Sequence, residues 1–456
     1  MRMEINNRSY LTAWYRRLDG IALFLFAAGT GFLTGKNQLR AVGLFMAVAF
    51  FLANPRKFLR GLGWLRPVPP GLLFYSAWVL WVFTTGPLVA VDLEYFWAGG
   101  HVLAQMFVMV WIVYGILKAT RNGENAIFLG LILGAVVEFF LVVTGMQGME
   151  SLIEEPRRVE RVMGLTHNPN CLGFLMVWAT VATLVFWKSR KMNIFWKALS
   201  FMLIGFCAYV LLATGSRKSS IAFVFVLWAW ATFALPEGVG RGLGRIAIPV
   251  VLGAMALWLF STYGMELAAN TPVSVRWQQM MEAGGGSIFQ GFEHNVRYDM
   301  YVEGFKMFLH HPIFGVGLNN FGKYFYTGQY SHSDYMEPLA TTGLVGFAFY
   351  QAFYVILFLR TRRLLKVVTD PGVRYKLKMI LIGLGAIMVI GFGAPHYTSQ
   401  AVFLLLLAFS VYTWNLQRQV SVARRQVGRS VPAPWAVYRG NPGVGSRGSL
   451  SDEEKV

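Results

Sequence analysis

The chain has 456 residues, of which 55% are hydrophobic and only 14% charged, and its mean hydropathy is +0.48. Soluble domains carry roughly 25% charged residues, so this composition excludes an ordinary soluble protein and indicates a polytopic membrane protein. The net charge of +19 does not call for a nucleic-acid partner, because basic residues in a membrane protein set its orientation and contact lipid headgroups.

Apolar runs of spanning length follow one another along most of the chain. Against a bilayer core of about 30 Å they predict an all-α integral membrane protein with about twelve transmembrane helices. The first run, residues 20–34, is expected to be retained, because no small-residue cleavage pattern follows it. The predicted spans centre near Phe26, Ala47, Trp81, Val110, Val136, Val177, Phe206, Leu227, Ala256, Tyr350, Ala386 and Ala408.

Clusters of Lys and Arg in alternate loops predict the orientation. They occur near residues 16–17, 56–66, 188–197, 360–366 and 418–429, which fall on one side when the helices alternate. By the positive-inside rule that side, with both termini, is cytoplasmic. Residues 1–415 are therefore expected to form the membrane domain, and residues 416–456, rich in Pro, Gly and Ser, a disordered basic cytoplasmic tail.

The longest polar interruption, residues 263–338, separates the predicted ninth and tenth spans. It holds a concentration of histidines, arginines and carboxylates that no other segment matches. Within it, the apolar spacing from Arg297 to His311 predicts an amphipathic helix lying on the membrane, which Pro312 ends. Chemistry, if the chain performs it, is expected in this loop on the outer side.

Cations precede or begin two of the predicted spans on that side. Arg161 stands before Asn168-Pro169, which read as a helix cap and first helical residue, but capping does not explain the arginine. Arg217 and Lys218 stand at the start of the eighth span, where the helix dipole disfavours cations. Free amide groups and a guanidinium at a helix start can bind a phosphate or diphosphate; the alternative for both residues is a snorkelling pair at the membrane interface.

Arg297 and His332 complete the set of candidate residues. Arg297 begins the predicted amphipathic helix, where it contacts either an anion or a nearby carboxylate such as Asp299 or Glu293. His332 directly precedes the tenth span, and a neutral imidazole there can act as general base, with Asp334 and Glu337 close enough in sequence to orient it. The alternative for His332 is a capping or interface histidine.

Neither a metal nor another cofactor is expected. The acids form no recognisable metal-ligand spacing, and no pair of histidines falls four residues apart on one helix. Cys171 and Cys207, the two cysteines, lie in apolar runs and exclude a disulfide framework. Glu138 is the lone carboxylate within a span and has no partner that the sequence identifies.

Taken together, the motifs between residues 161 and 346 resemble the bacterial O-antigen ligase and polymerase superfamily. No single motif carries the resemblance; their order along the chain and their place on the outer face do. The motifs are Arg161 with His167-Asn168-Pro169-Asn170, Thr214-Gly215-Ser216-Arg217, Arg297, His311-Pro312-Ile313-Phe314-Gly315-Val316-Gly317 and His332-Ser333-Asp334-Tyr335 followed by Thr342-Gly343-Leu344-Val345-Gly346.

The resemblance implies a metal-independent membrane glycosyltransferase of the GT-C type in the bacterial inner membrane, with its active site on the periplasmic face. It implies an undecaprenyl-diphosphate-linked glycan as donor, and a lipid-linked glycan or lipid A-core as acceptor. Carried over, Arg217 and Arg297 grip the donor diphosphate, Arg161 is a further contact to phosphate or glycan, and His332 activates the acceptor hydroxyl. After the key histidine many relatives of the family carry Asn, whereas here Ser333-Asp334 follow, which leaves open whether Asp334 orients the base or touches sugar.

Three functions remain open on the sequence alone. Polymerase and ligase readings differ only in the acceptor, and the pattern slightly favours the polymerase of O-antigen or exopolysaccharide. A lipid or polysaccharide transporter is the alternative from another class, because about twelve spans with both termini inside are common among transporters. That reading predicts charges near the bilayer midplane and matched broken helices in two halves of the chain, whereas the charged cluster lies in an external loop.

Overall fold

A computed structural model describes residues 18–29, 45, 48–56, 65–145, 149–152, 159–166, 168–187, 193–234, 272, 275 and 296–430. The predicted span centres Ala47 and Ala256, Glu293 and most of the loop before residue 296 lie outside these residues. The chain divides into two compact units, Met1–Thr413 and Trp414–Val456. All candidate site residues belong to the first unit.

The described chain is almost entirely helical. The departure from the all-α prediction within it is one antiparallel ribbon of two strands, β1 (Met149–Leu152) and β2 (Val159–Val162), followed by a short 3₁₀ turn, Gly164–Thr166. A π-helical turn, Trp230–Ala234, extends the helix that ends at Ala229, and a single α-helical turn, Phe321–Tyr324, lies between the helix that ends at His310 and the one that begins at Met336. The helices are α1 (Leu18–Gly29), α2 (Pro70–Val89), α3 (Leu93–Ala119), α4 (Gly123–Val143), α5 (Pro169–Phe186), α6 (Ile194–Thr214), α7 (Arg217–Ala229), α8 (Val296–His310), α9 (Met336–Val367), α10 (Pro371–Gly391) and α11 (Gln400–Ser430).

Seven of the described helices are long and apolar enough to cross a membrane, namely α2 to α6, α9, and α11 as far as Ala423. The multi-pass membrane character is therefore confirmed, while the count of about twelve spans and the GT-C-like topology stay predictions. Helix α1 has only 12 residues and α7 only 13, and α10 carries Arg374, Lys376 and Lys378 in its first turns.

Local sequence signals explain where several helices begin and end. The Asn168 side chain accepts hydrogen bonds from the backbone of Asn170 and Cys171, and Pro169 is the first residue of α5, as the sequence predicts. Asp370 caps α10 in the same way, ahead of Pro371. At the carboxyl end of α6, Gly215 adopts the left-handed conformation that terminates many helices, with φ of 61°.

The core lies along α5 and the first half of α11, whose side chains are buried on almost every face. Trp178 of α5 and Phe403 of α11 are fully buried, and Gly383 of α10 leaves room for the ring of Phe409. Such all-round apolar burial is expected of helices at the centre of a bundle. These central helices fix the positions of the helix ends around them.

One side of the bundle, here called the site side, gathers the ends of α2, α4, α6 and α10 and the beginnings of α3, α5, α7, α9 and α11. A hydrogen bond of 2.8 Å from the Asp334 amide to the Gly391 carbonyl joins two of these ends. On the opposite side Lys376 pairs with Glu124 at 3.1 Å, and Arg362 and Arg363 stand near the end of α9. The predicted orientation, with this second side cytoplasmic, stays a prediction.

Candidate active site

The turn between α6 and α7 lies against the beginning of α5. The Ser216 hydroxyl donates to the Asn170 side-chain oxygen at 3.1 Å and shares a hydrogen bond of 2.8 Å with the Ser219 hydroxyl. A side chain at Gly173 would collide with Ser219, which explains why the helices approach closely there. The two predicted motifs around Asn168 and Thr214 are thus brought together, and Arg217, half-buried, opens α7 beside them.

Arg161 supports this turn from the protein interior. It is 5% exposed, and its Nε donates to the Thr214 carbonyl at 2.9 Å. A cation at the carboxyl end of α6 is favoured by the helix dipole and satisfies a carbonyl that the helix itself leaves open. The structure therefore places Arg161 where it can position the Thr214–Arg217 turn, while its predicted contact to phosphate or glycan stays a prediction.

Two cations from different helices meet at Gly393, beyond the end of α10. The Lys218 ammonium of α7 donates to the Gly393 carbonyl and lies 5.2 Å from the ring centre of Phe174. A Cβ atom at Gly393 would lie 3.6 Å from Lys218 Nζ and 3.7 Å from Arg297 Nη1 of α8. Residues 218 and 297, far apart in sequence, thus form one positively charged site.

The sequence left open whether Arg297 contacts an anion or a nearby carboxylate such as Asp299. The Asp299 carboxylate accepts a hydrogen bond of 3.2 Å from the Tyr326 hydroxyl, on the exposed part of the loop. Arg297 instead faces Gly393 and is close enough to Tyr301 and His332 to affect the pKa of both. Its contact to an anion stays a prediction.

His332 is half-buried and close enough to Arg297 and Lys218 for their charges to affect its pKa. Its backbone has φ of 55°, and its ring centre is 4.1 Å from the ring centre of Tyr330. Burial, together with the positive charges of Arg297 and Lys218, lowers the pKa of His332 to about 4. The imidazole is therefore neutral near neutral pH and can accept a proton, which is what a general base requires.

The two carboxylates near His332 are buried and are used by the backbone around it. The Asp334 carboxylate accepts hydrogen bonds from the Tyr350 hydroxyl and the His396 amide, each at 2.6 Å. Burial raises the pKa of Asp334, and the hydrogen bonds oppose this rise. Glu337 accepts the Ser331 amide at 2.6 Å. Within the described residues neither carboxylate is hydrogen-bonded to the imidazole of His332, so both hold the loop rather than the ring.

The segment after His311 is structural in its contacts. Its backbone binds the first turns of α9, with hydrogen bonds from the Val316 amide to the Ala340 carbonyl at 3.0 Å and from the Leu344 amide to the Pro312 carbonyl at 2.8 Å. Gly343 interrupts α9 with φ of 66° and ψ of −174°. His310 and His311 are exposed. The family-like motif therefore braces the helix that carries Glu337.

The segment around Asn320 and Lys323 is also held to the connection between α2 and α3. The side-chain oxygen of Asn320 accepts the Asp92 amide at 2.9 Å, and Lys323 pairs with the Asp92 carboxylate at 2.8 Å. Lys323 also lies 3.9 Å from the ring centre of Tyr95. The hydrogen bond from Lys323 lowers the pKa of Asp92. Sequence reasoning missed this anchor because its two halves are more than two hundred residues apart.

Glu138, whose partner the sequence could not identify, accepts the Leu165 amide at 3.3 Å. It is fully buried, and a side chain at Gly164 would collide with its carboxylate. Glu138 therefore holds the 3₁₀ turn that leads from β2 into α5.

Sequence reasoning also missed the turn after α10. The Tyr301 hydroxyl donates to the Phe392 carbonyl, next to the carbonyl that Lys218 uses. His396 contributes its amide to the Asp334 carboxylate. The signal available in the sequence was a cluster of Gly and Pro, residues 391–395, directly after an apolar run on the outer side.

The fold and the site define a multi-pass membrane protein with a neutral histidine beside two cations on one side of the bundle. Residues 199–351 match the family model of O-antigen ligases, and no curated protein matches the chain. The matched segment runs from α6 into α9 and contains Arg217, Lys218, Arg297 and the loop around His332. The predicted resemblance to the O-antigen ligase and polymerase superfamily is thus confirmed over this segment, and Arg161 and the turn after α10 lie outside it.

Proposed function

We propose that this protein is a membrane glycosyltransferase that moves a glycan from an undecaprenyl-diphosphate donor to an acceptor sugar hydroxyl at the periplasmic face of the bacterial inner membrane. The observation that carries the proposal is the meeting of His332 with Lys218 and Arg297, within the segment similar to O-antigen ligases. A base and an anion site side by side are what this transfer needs.

In the proposed reaction His332 takes the proton of the acceptor hydroxyl while the hydroxyl oxygen bonds to the anomeric carbon of the donor sugar. The bond from that carbon to the diphosphate breaks, and the diphosphate leaves with the electron pair. Lys218 and Arg297 receive the developing negative charge. Interactions that strengthen as charge develops lower the barrier more than interactions already complete in the ground state.

The placement of the cations also suits a lipid-linked donor. Lys218 lies in the first turn of α7 and Arg297 in the first turn of α8. At such helix starts a diphosphate headgroup can reach them while its prenyl chain stays in the bilayer. In this proposal Arg217 is a further contact to the diphosphate. Lys218 and Arg297 supply the charge stabilisation that a metal ion supplies in other enzymes. Both termini of the chain are cytoplasmic.

The proposed glycosyltransferase is either a polymerase or a ligase, and the two differ in the acceptor that they use. The polymerase extends a lipid-linked glycan, and the sequence pattern slightly favours it. The ligase joins the glycan to lipid A-core, and the description of the matching family favours this second candidate. Both use the same donor and the same base.

The test uses purified protein with an undecaprenyl-diphosphate-linked oligosaccharide in EDTA, with and without lipid A-core. A ladder of longer lipid-linked chains from the donor alone identifies the polymerase, and product that requires lipid A-core identifies the ligase. Arg297→Gln should lower the rate by about a hundredfold or more, as expected for a lost transition-state contact, whereas Lys306→Gln, on the exposed side of the same helix, should not. Absence of transfer with either acceptor contradicts the proposal, and transfer that EDTA abolishes contradicts its metal-independent form.

A further inference from the structure

Three consecutive backbone carbonyls at the carboxyl end of α10 accept hydrogen bonds from three different segments of the candidate site. The segments are the loop before α9, helix α8 and helix α7. Their donors are the Asp334 amide to Gly391, the Tyr301 hydroxyl to Phe392 and the Lys218 ammonium to Gly393.

The carboxyl end of a helix is suited to this role. Its last carbonyls have no partner within the helix, and the helix dipole gives them a partial negative charge that favours a cation such as Lys218. The turn that follows is tight, since the Gly393 amide returns to the Ile390 carbonyl at 2.9 Å. A Cβ at Gly393 would lie 2.7 Å from Lys218 Cδ, so a side chain there displaces the lysine.

Asp334 closes this turn at both of its ends. Its amide binds the Gly391 carbonyl at 2.8 Å, and its carboxylate accepts the His396 amide at 2.6 Å. The same carboxylate oxygen accepts the Tyr350 hydroxyl from α9. Asp334 is only 3% exposed, so these contacts are protected from solvent. Because Asp334 follows His332 by two residues, the position of the turn also sets the position of the histidine.

We propose that residues 391–396, closed by Asp334, form a positioning element that holds His332, Lys218 and Arg297 at their mutual spacing. This inference rests on the proposed function. Asp334 acts in it through the turn and neither orients the imidazole directly nor touches sugar. A displacement of about 1 Å in such a site can reduce the rate by about a hundredfold, so the element is expected to matter for transfer without contacting substrate.

The first test measures the turn itself, independently of activity. In Tyr350→Phe and Asp334→Ala, deuterium uptake should rise in the peptides that cover residues 331–336 and 391–399. Tyr375→Phe is the matched control, because it removes an equally buried tyrosine hydroxyl at the other end of α10, where that hydroxyl donates to the Leu184 carbonyl at 2.6 Å. Uptake in those peptides should be the same in the control as in the wild type.

The second test separates positioning from a direct effect on the base. Asp334→Asn keeps an oxygen that can accept the His396 amide, so it should transfer at least ten times faster than Asp334→Ala. The pH profile of its kcat/KM should match that of the wild type. Gly393→Ala should lower the rate by about tenfold or more by displacing Lys218.

Unchanged uptake in Asp334→Ala overturns the inference, and so does wild-type transfer by that variant despite increased uptake. Equal loss in Asp334→Asn and Asp334→Ala with a shifted pH profile also overturns it, because that result assigns Asp334 to the base. Failure of the wild type to transfer any glycan is a failure of the proposed function instead, and the exchange measurement then still decides whether Asp334 closes the turn.

Discussion

At the scale of single residues, the charges around His332 decide when its imidazole can act as a base. Lys218 and Arg297 both lower its pKa, in addition to the effect of burial. A bound diphosphate carries opposite charge and neutralises these two cations, so it removes part of the cause. The basicity of His332 is therefore expected to rise when the donor binds, which increases proton transfer only in the productive complex.

This coupling predicts different pH profiles for the free protein and the complex. The profile of kcat/KM for the donor reports the free protein, and that of kcat reports the donor complex. Since the pKa of His332 is raised in the complex, the acid limb of kcat should lie about one pH unit or more above that of kcat/KM. Arg297→Gln should move the kcat/KM limb upward and Lys306→Gln should leave it in place. Coincident limbs in the wild type, with no movement in Arg297→Gln, contradict the coupling.

Residue roles were predictable where the chemistry of one side chain suffices, and not where they depend on packing. A histidine before a span and cations at helix starts marked His332, Arg217, Lys218 and Arg297 as candidates. The structure places Lys218 and Arg297 together at Gly393, within electrostatic range of His332, while the roles of all four residues stay predictions. Arg161 is likewise a cation that precedes a predicted span on the outer side, but its Nε donates to the Thr214 carbonyl. Which arginine faces the site is set by the fold of a ribbon that the sequence did not predict.

At the scale of elements, α9 is shaped by its interruption at Gly343. The φ of 66° and ψ of −174° belong to a region open almost only to glycine. An added Cβ would lie 2.7 Å from the Phe314 amide nitrogen and closer still to the Ile313 carbonyl. The interruption lets residues 312–317 bind the start of α9, and so it supports the loop that carries His332.

Gly343→Ala should therefore destabilise the protein by about 2 kcal/mol or more, from backbone strain and collision together. The measurement is thermal unfolding in detergent, with transfer activity recorded in parallel. Gly205→Ala is the matched control, since nothing lies within 4 Å of a Cβ at that position of α6 and alanine favours the helix by about 1 kcal/mol. Equal unfolding temperatures for Gly343→Ala and the wild type contradict this role of the interruption.

Elements with local signals were predicted well and elements held by distant contacts were not. The amphipathic spacing after Arg297 predicted α8, and Asn168-Pro169 predicted the start of α5. The 391–396 turn has only a Gly and Pro cluster in sequence, and its importance arises from hydrogen bonds to residues 57 to 175 positions away, such as the one between Lys218 and Gly393. Long-range pairing of this kind leaves no periodic pattern along the chain.

At the scale of the whole molecule, the bundle presents two chemically different sides. The site side holds the candidate residues, and the opposite side holds the basic helix ends. The positive-inside rule predicts that the second side is cytoplasmic. Apolar runs were enough to predict the multi-pass character, because hydrophobicity is read directly from composition, whereas the packing of α5 and α11 at the centre was not predictable.

Cysteine labelling in intact cells tests this orientation. With Cys171 and Cys207 replaced by serine, a cysteine introduced as Gln329→Cys, on the exposed site side, should react with an impermeant maleimide from outside. Thr369→Cys, exposed between α9 and α10, should react only after permeabilisation. The reverse pattern contradicts the siting of the active face in the periplasm.

The role of His332 as the base of the proposed glycan transfer is tested by the initial transfer rate of His332→Ala at saturating donor. We expect a rate lower by about a hundredfold to ten-thousandfold, the usual contribution of a general base, while binding of the undecaprenyl-diphosphate donor persists because Lys218 and Arg297 remain. A rate near that of the wild type, in a folded His332→Ala variant, would contradict this role.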